Sequence, residues 1–140
     1  MEESVSLARP VRRRPRQVVI AAIALMVIAI LGLLEAWLVL SVFIDDADHG
    51  QSVSSAWYIL CYVQFALSGT QLLSGLLIWR GRLPWARIAA ISICLVTLVS
   101  GIVTLLTGNV LPGIFGLVVN GALIRLLGKD DVYDWCHPVR

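Results

Sequence analysis

The side chain best able to do chemistry in this sequence is the carboxyl group of Glu35. It lies inside the first of four long apolar runs, whose interiors otherwise exclude charge. A charged group near the centre of a bilayer costs at least roughly 2.5–3.5 kcal/mol on insertion scales, and such residues usually face a bundle interior. We therefore expect Glu35 to bind a proton, a cation or a partner. The alternative is a neutral carboxyl group that only hydrogen-bonds a neighbour, because burial favours the protonated form.

A stripe of small and amide side chains follows one face of the second apolar run. Its members recur at spacings of three and four, which places them on one side of a helix: Cys61, Gln64, Ser68, Gln71 and Gly75. Within lipid, small residues let helix backbones approach, and amides hydrogen-bond between helices. The fourth run repeats this pattern with Gly113, Gly116 and Asn120. We expect Gly75, Gly113 and Gly116 to be helix-packing positions.

Depth along each run indicates which polar residues could meet. At a rise of 1.5 Å per residue, Glu35 and Ser100 lie roughly 6 Å outward of the midpoints of their runs, and Gln64 roughly 4 Å. These three residues form the predicted intramembrane polar cluster. Four others extend it into a broken secondary polar line: Ser68, Gln71, Thr97 and Asn120. The competing interpretation is that the amides and hydroxyls only fix helix register, at about 0.6 kcal/mol per bond.

Four membrane-spanning helices are needed to position these side chains. The chain is 59% hydrophobic and 14% charged, with a mean hydropathy of +0.86, which is too apolar for a soluble domain of this size. The predicted spans are about 18–43, 55–79, 85–106 and 110–127, against the ~20 residues that a bilayer requires. The sequence thus predicts an all-α polytopic membrane protein, an antiparallel four-transmembrane-helix bundle over residues 18–128.

The distribution of lysine and arginine predicts the orientation of this bundle. All eleven fall in the N-terminal tail, in the 80–87 turn, or from Arg125 onward, and the 44–54 and 107–109 loops hold none. Cytoplasmic loops carry such an excess of positive residues. We therefore expect both termini to be cytoplasmic and the protein to reside in the plasma (inner) membrane.

Two polar tails flank the predicted bundle. Residues 1–17 form a basic tail that we expect to be disordered, and its arginines are placed to meet anionic lipid headgroups: Arg9, Arg12, Arg13, Arg14 and Arg16. Residues 129–140 form a second cytoplasmic tail, in which Tyr133 and Trp135 are expected at the headgroup level. The basic cluster lacks interleaved aromatic residues, so no nucleic-acid partner is expected.

Motifs for the common enzyme chemistries do not occur in the sequence. It contains no nucleophile elbow, Walker loop, HExxH motif or paired-carboxylate arrangement, so we expect no enzymatic activity and no cofactor. The three cysteines, Cys61, Cys94 and Cys136, are widely spaced and form no CxxC pair, so neither a disulfide framework nor a metal site is expected. The acidic residues of the 44–54 loop lack the spacing of a calcium loop.

Two resemblances to known families bear on the architecture. Residues 111–120 read LPGIFGLVVN and residues 130–136 read DDVYDWC; together they resemble the ends of small four-span integral membrane proteins common in actinobacteria. That resemblance implies architecture and no activity. Four spans with Glu35 in the first are also similar to small multidrug-resistance transporters, which implies that Glu35 binds protons or cations. The long N-terminal tail departs from that family.

Small size, short loops and several helix-packing stripes favour a non-enzymatic integral membrane bundle. Our leading hypothesis is an accessory or assembly subunit of a larger inner-membrane complex, with other membrane-protein subunits as partners. The alternative is a small homo-oligomeric transporter or channel that uses Glu35 for proton or cation coupling. Oligomerisation would then be required, because four short helices leave little room for a substrate cavity in one copy. A third hypothesis is a lipid sensor that uses the arginine tail.

Overall fold

The protein is almost entirely helical in the computed structural model, which describes residues 13–81, 83–108 and 110–137. The helices are α1 (Arg16–Asp48), α2 (Ser55–Arg80), α3 (Pro84–Leu106), α4 (Val110–Leu127) and α5 (Asp130–Cys136), and no strand occurs in these ranges. The first four helices are long and apolar enough to cross a membrane. The predicted all-α class with four candidate spans is confirmed. The predicted disorder of the N-terminal tail concerns mainly residues 1–12, which lie outside the described residues.

Local signals set most of the helix ends. The Ser54 side chain accepts a hydrogen bond from the Ala56 backbone N–H at the start of α2. The same helix ends at Gly81, whose φ of 69° is left-handed and favours glycine. Pro84 opens α3, where its missing N–H removes no intrahelical bond. These ends differ by at most one residue from the predicted spans 55–79 and 85–106.

Helix α1 continues beyond the predicted end of the first span. It runs to Asp48, so that the first loop is shorter than the predicted range 44–54. The backbone stays helical through Ile44 and Ala47 and turns only at Gly50, where φ is 77°. The end of the apolar run therefore does not mark the end of the helix. Polar residues can continue a helix at its exposed end, because helical backbone geometry does not require an apolar side chain.

The four long helices pack unequally. The largest interfaces join α1 to α2 and α3 to α4, the interface between α2 and α3 is smaller, and α1 meets α4 along the smallest of these interfaces. The four helices therefore enclose a central space that is closed least tightly between α1 and α4.

Helix α5 was not predicted from the sequence. It packs against one end of the four long helices. Trp135 is only 9% exposed and belongs to the main apolar core together with Val18, Ile78 and Leu127. Its indole Nε1 donates a 3.0 Å hydrogen bond to the backbone carbonyl of Ile78 in the last turn of α2, which also accepts a bond from the Gly81 N–H. The indole therefore finds its hydrogen-bond acceptor inside the protein, and the placement of Trp135 at the headgroup level stays a prediction.

Arg87 attaches α3 to the segment that leads into α5. Its Nε donates a 2.8 Å hydrogen bond to the carbonyl of Leu127 at the end of α4, and its guanidinium carbon lies 5.0 Å from the centre of the Tyr133 ring. Both contacts favour a cation, since helix C-termini carry partial negative charge and aromatic faces attract positive groups.

Candidate functional site

A cavity of about 210 Å³ lies between the four long helices. Apolar side chains from α1, α2 and α4 line part of it, among them Leu31, Leu67 and Phe115. Its polar lining consists of Glu35 from α1, Gln64, Ser68 and Gln71 from α2, Thr97 from α3, and Asn120 from α4. Every long helix therefore contributes a polar group to one internal space.

The structure brings together six of the seven polar residues that the sequence grouped. Glu35 and Gln64 of the predicted cluster, and all four residues of the secondary line, border the same cavity. Ser100 does not: its side chain is exposed, and its backbone carbonyl accepts a 2.9 Å hydrogen bond from the Thr104 hydroxyl. Helical rise fixes the depth of a residue but not its direction around the helix axis, and the depth argument that grouped Ser100 with Glu35 and Gln64 did not include that direction.

On the side of the cavity formed by α3 and α4, the polar side chains are hydrogen-bonded within the protein. The Thr97 hydroxyl lies 2.8 Å from Asn120 Oδ1, to which it can donate, and 3.0 Å from the Ile93 carbonyl of its own helix. Asn120 Nδ2 donates a 2.8 Å bond to the carbonyl of Gly116, one turn earlier in α4. Both polar atoms of the Asn120 amide are therefore engaged within the protein.

On the opposite side, formed by α1 and α2, the polar side chains make no hydrogen bond through the groups described next. Gln71 is 5% exposed, and its Nε2 has no hydrogen-bond partner among the described residues. The side chains of Gln64, Ser68 and Glu35 also make no hydrogen bond within the described part of the chain. A buried amide N–H that lacks a partner costs roughly 1–3 kcal/mol. Free hydrogen-bonding capacity is thus concentrated on one side of the cavity.

Gly32 allows the close approach of α1 to this wall. A Cβ atom added there would lie 2.5 Å from Ser68 Oγ and 3.4 Å from Gln64 Nε2, so a larger residue would displace the Ser68 hydroxyl. Gly32 was not among the predicted site residues. Its position three residues before Glu35, on the same face of α1, was the signal that could have identified it.

Glu35 borders a second space outside the cavity. A groove of about 250 Å³ on the α1–α2 surface is lined by Glu35 and Gln64 together with residues such as Trp57 and Cys61. Glu35 itself is exposed on the surface of the isolated chain. Glu35 therefore borders both the cavity and the groove.

The three glycines predicted to pack helices all lie against a neighbouring helix. A Cβ atom at Gly75 would lie 3.0 Å from Met26 Cγ of α1. One at Gly113 would lie 2.5 Å from Leu105 Cγ of α3, and one at Gly116 would lie 3.9 Å from Gly101 Cα. Gly75 and Gly113 therefore leave no free space for a side chain, and Gly116 is in ordinary contact distance.

The described residues show no group of three or more His, Cys, Asp or Glu side chains placed to hold a metal ion. The three cysteines are free thiols and all are buried. Burial raises the pKa of Cys136 in α5 above its ordinary value of 9.0, an effect that the nearby positive charge of Arg87 partly opposes. Its thiol is therefore protonated at neutral pH and a poor nucleophile.

Searches for relatives add no family assignment, since no family model, no curated protein and no solved structure matches the chain.

Proposed function

We propose that this protein is a non-enzymatic accessory or assembly subunit of a larger inner-membrane complex. The observation that carries the proposal is the exposure of Glu35 on the surface of the isolated chain, in the middle of an apolar spanning helix and without a hydrogen-bond partner among the described residues. A carboxyl group in contact with lipid is costly. Lateral contact with another membrane protein would remove that cost by supplying a hydrogen-bond donor.

The same proposal includes an antiparallel bundle with both termini in the cytoplasm. Two contacts support it. Arg14, just before α1, lies 4.8 Å from the ring centre of Trp79 near the end of α2, and Arg87 near the start of α3 bonds the end of α4. Positive residues thus gather at one end of the helices, as expected for a cytoplasmic face. The N-terminal arginines would then be close to anionic headgroups.

The test is purification from the native source at native expression level in mild detergent, with mass determination of the particle and identification of every co-eluting protein. We expect a foreign membrane protein at fixed stoichiometry. Glu35→Leu should reduce its recovery, whereas Thr70→Val should not, because Thr70 is exposed on α2 and, among the described residues, its hydroxyl bonds only the carbonyl of Ala66. Elution of the chain alone, or only with itself, would contradict the proposal.

A second candidate function is a homo-oligomeric transporter or channel, which is favoured by the position of Glu35 between the cavity and the groove. The volume of about 210 Å³ in one copy is below the roughly 300–1,000 Å³ of typical ligand pockets, so several copies would have to share a pathway. Reconstituted vesicles should then show proton-linked flux that Glu35→Gln abolishes. Flux that is unchanged in Glu35→Gln argues against this function.

A further inference from the structure

The groove that Glu35 borders on the α1–α2 surface has the shape and lining of a seat for another helix. Two of its lining residues, Ala36 and Cys61, are small and almost fully buried, whereas Trp57 and Leu60 beside them are more than half exposed. Small residues between larger ones let a neighbouring helix backbone approach closely. The groove therefore offers an apolar contact surface that contains one acidic residue.

No cation meets Glu35 within the described part of this chain. Glu35 is exposed and makes neither a hydrogen bond nor an ion pair there. The ranges 17–79 and 88–124 contain no lysine or arginine, and the two histidines, His49 and His137, follow the ends of α1 and α5.

A second copy of the chain does not supply the missing cation either. The basic side chains of the described residues gather at the end of the long helices where α5 packs, as the contacts of Arg14 and Arg87 show. Copies of one membrane protein share one orientation in the bilayer. A neighbouring copy would therefore bring its cations to the same end, away from the groove, so the chain that supplies a cation to Glu35 is a foreign one.

The depth of the groove indicates what kind of molecule can deliver that cation. Glu35 shares the groove with Gln64, which lies seven residues after Trp57 in α2 and so roughly 10 Å further along the helix axis. Trp57 lies in the first turn of α2, where an aromatic ring suits the headgroup level. Amines of lipid headgroups stay at that level, whereas a spanning helix carries a basic side chain deeper with its own backbone groups hydrogen-bonded.

We propose that the groove binds a membrane-spanning helix of a foreign protein, and that a lysine or arginine roughly 10 Å from one end of that helix pairs with the carboxylate of Glu35. The inference rests on the proposed function, because it specifies the chemistry of the partner. Ionisable residues within membranes pair with one another. A helix that fits the groove but lacks the basic residue should therefore bind more weakly, since the carboxylate would lose its water and gain no partner.

The test is equilibrium association in lipid vesicles between the full chain and three synthetic peptides, measured by energy transfer between a dye on the chain and a dye on the peptide. The peptides are leucine–alanine helices of about 23 residues, long enough to span a bilayer. They differ only at one position about a third of the way along, which holds lysine, glutamine or leucine. We expect the lysine peptide to bind at least about tenfold more tightly than the leucine peptide, with glutamine in between, because hydrogen bonds to charged groups are the stronger ones.

Three variants of the chain locate the binding. Glu35→Gln keeps the size of an exposed side chain but removes its charge, and it should reduce the affinity for the lysine peptide about tenfold. Val39→Trp should weaken binding of all three peptides by filling the groove. Val27→Trp is the matched control, because Val27 is also an exposed valine of α1 but does not line the groove, and it should change none of the three affinities.

Several results would overturn the inference. They are absence of saturable binding of the lysine peptide, equal affinities for the lysine and glutamine peptides, equal affinities for all three, or a lysine preference that persists in Glu35→Gln. Binding that Val39→Trp leaves unchanged would overturn the placement of the helix in the groove. Co-elution of a foreign protein without a lysine preference would contradict this inference and leave the proposed function standing. A lysine preference without any co-eluting foreign protein would instead contradict the proposed function.

Discussion

The hydroxyl of Thr97 in α3 lies 2.8 Å from Oδ1 of Asn120 in α4, and the amide nitrogen of the same asparagine is bonded to the carbonyl of Gly116. This side-chain bond therefore links two helices at a point where both polar groups border the central cavity. The contribution of this bond to the free energy of unfolding can be measured, because each partner can be replaced by an apolar residue of similar size.

We expect the losses of unfolding free energy caused by Thr97→Val and Asn120→Leu to be less than additive in the double variant. Interhelical hydrogen bonds in membranes average about 0.6 kcal/mol in double-mutant cycles, with a maximum near 1.7, so the coupling energy should fall in that range. The measurement is the free energy of unfolding in mixed detergent–lipid micelles for both single variants and the double variant. Thr104→Val paired with Asn120→Leu is the control, since within the described part of the chain the Thr104 hydroxyl bonds only the Ser100 carbonyl of its own helix. Coupling as large in the control pair would contradict the assignment.

Gly113→Ala should destabilise the contact between α3 and α4. A Cβ atom there would meet Leu105 at 2.5 Å from its Cγ and 3.0 Å from its backbone nitrogen, and overpacking of this kind typically costs about 1–3 kcal/mol. Gly121→Ala is the matched control on the same helix, since nothing lies within 4 Å of its added carbon. It should be neutral or stabilising by up to about 1 kcal/mol. Thermal unfolding of both variants would compare them, and equal stability would contradict close packing at Gly113.

Loss of the indole N–H of Trp135 should loosen the attachment of α5. Trp135→Phe keeps the ring but removes the donor to the Ile78 carbonyl, with an expected loss of about 1 kcal/mol. Trp85→Phe is the control, because that ring is 50% exposed. Protease digestion should release the C-terminal segment faster in Trp135→Phe than in Trp85→Phe. Identical digestion rates would show that the bond contributes little.

Alkaline pH should destabilise the protein partly through Cys136. Well below pH 9.0 the thiol is protonated in both the folded and the unfolded chain, so there it makes no contribution to the pH dependence of stability. Burial raises the pKa of the folded-state thiol above 9.0, so at higher pH the unfolded chain ionises first, and proton release favours unfolding. The fall in unfolding free energy from pH 8 to pH 10 should be larger in the original chain than in Cys136→Ala. Equal falls would exclude this thiol as a cause.

Helices α2 and α3 were predictable to within one residue because both leave strong local signals in the sequence, whereas α1 continues five residues beyond its predicted end. An apolar run bounded by Ser54 and Gly81 predicts α2 to within one residue, since capping residues and hydropathy agree there. Helix α5 was not predictable in this way, because its seven residues bury only a few side chains and its position depends on one long-range bond from Trp135 to Ile78.

Most of the polar residues that line the cavity could be grouped from the sequence, but not all of the grouped residues line it. Spacings of three and four placed Gln64, Ser68 and Gln71 on one face of α2, and all three border the cavity. Ser100 does not border the cavity, because it lies off the α3 face defined by Thr97 and Gly101. Which groups would be satisfied and which left free depended on side-chain geometry between helices, which spacing in sequence does not determine.

The core at the α5 end joins Val18, near the start of the first span, to Trp135, more than a hundred residues later. A ribosome must therefore translate almost to residue 136 before this core can close, so this end of the four long helices stays incomplete until late in synthesis. Chains that stop early would keep Val18 and Ile78 uncovered, in a form that quality-control proteases can distinguish from the finished protein.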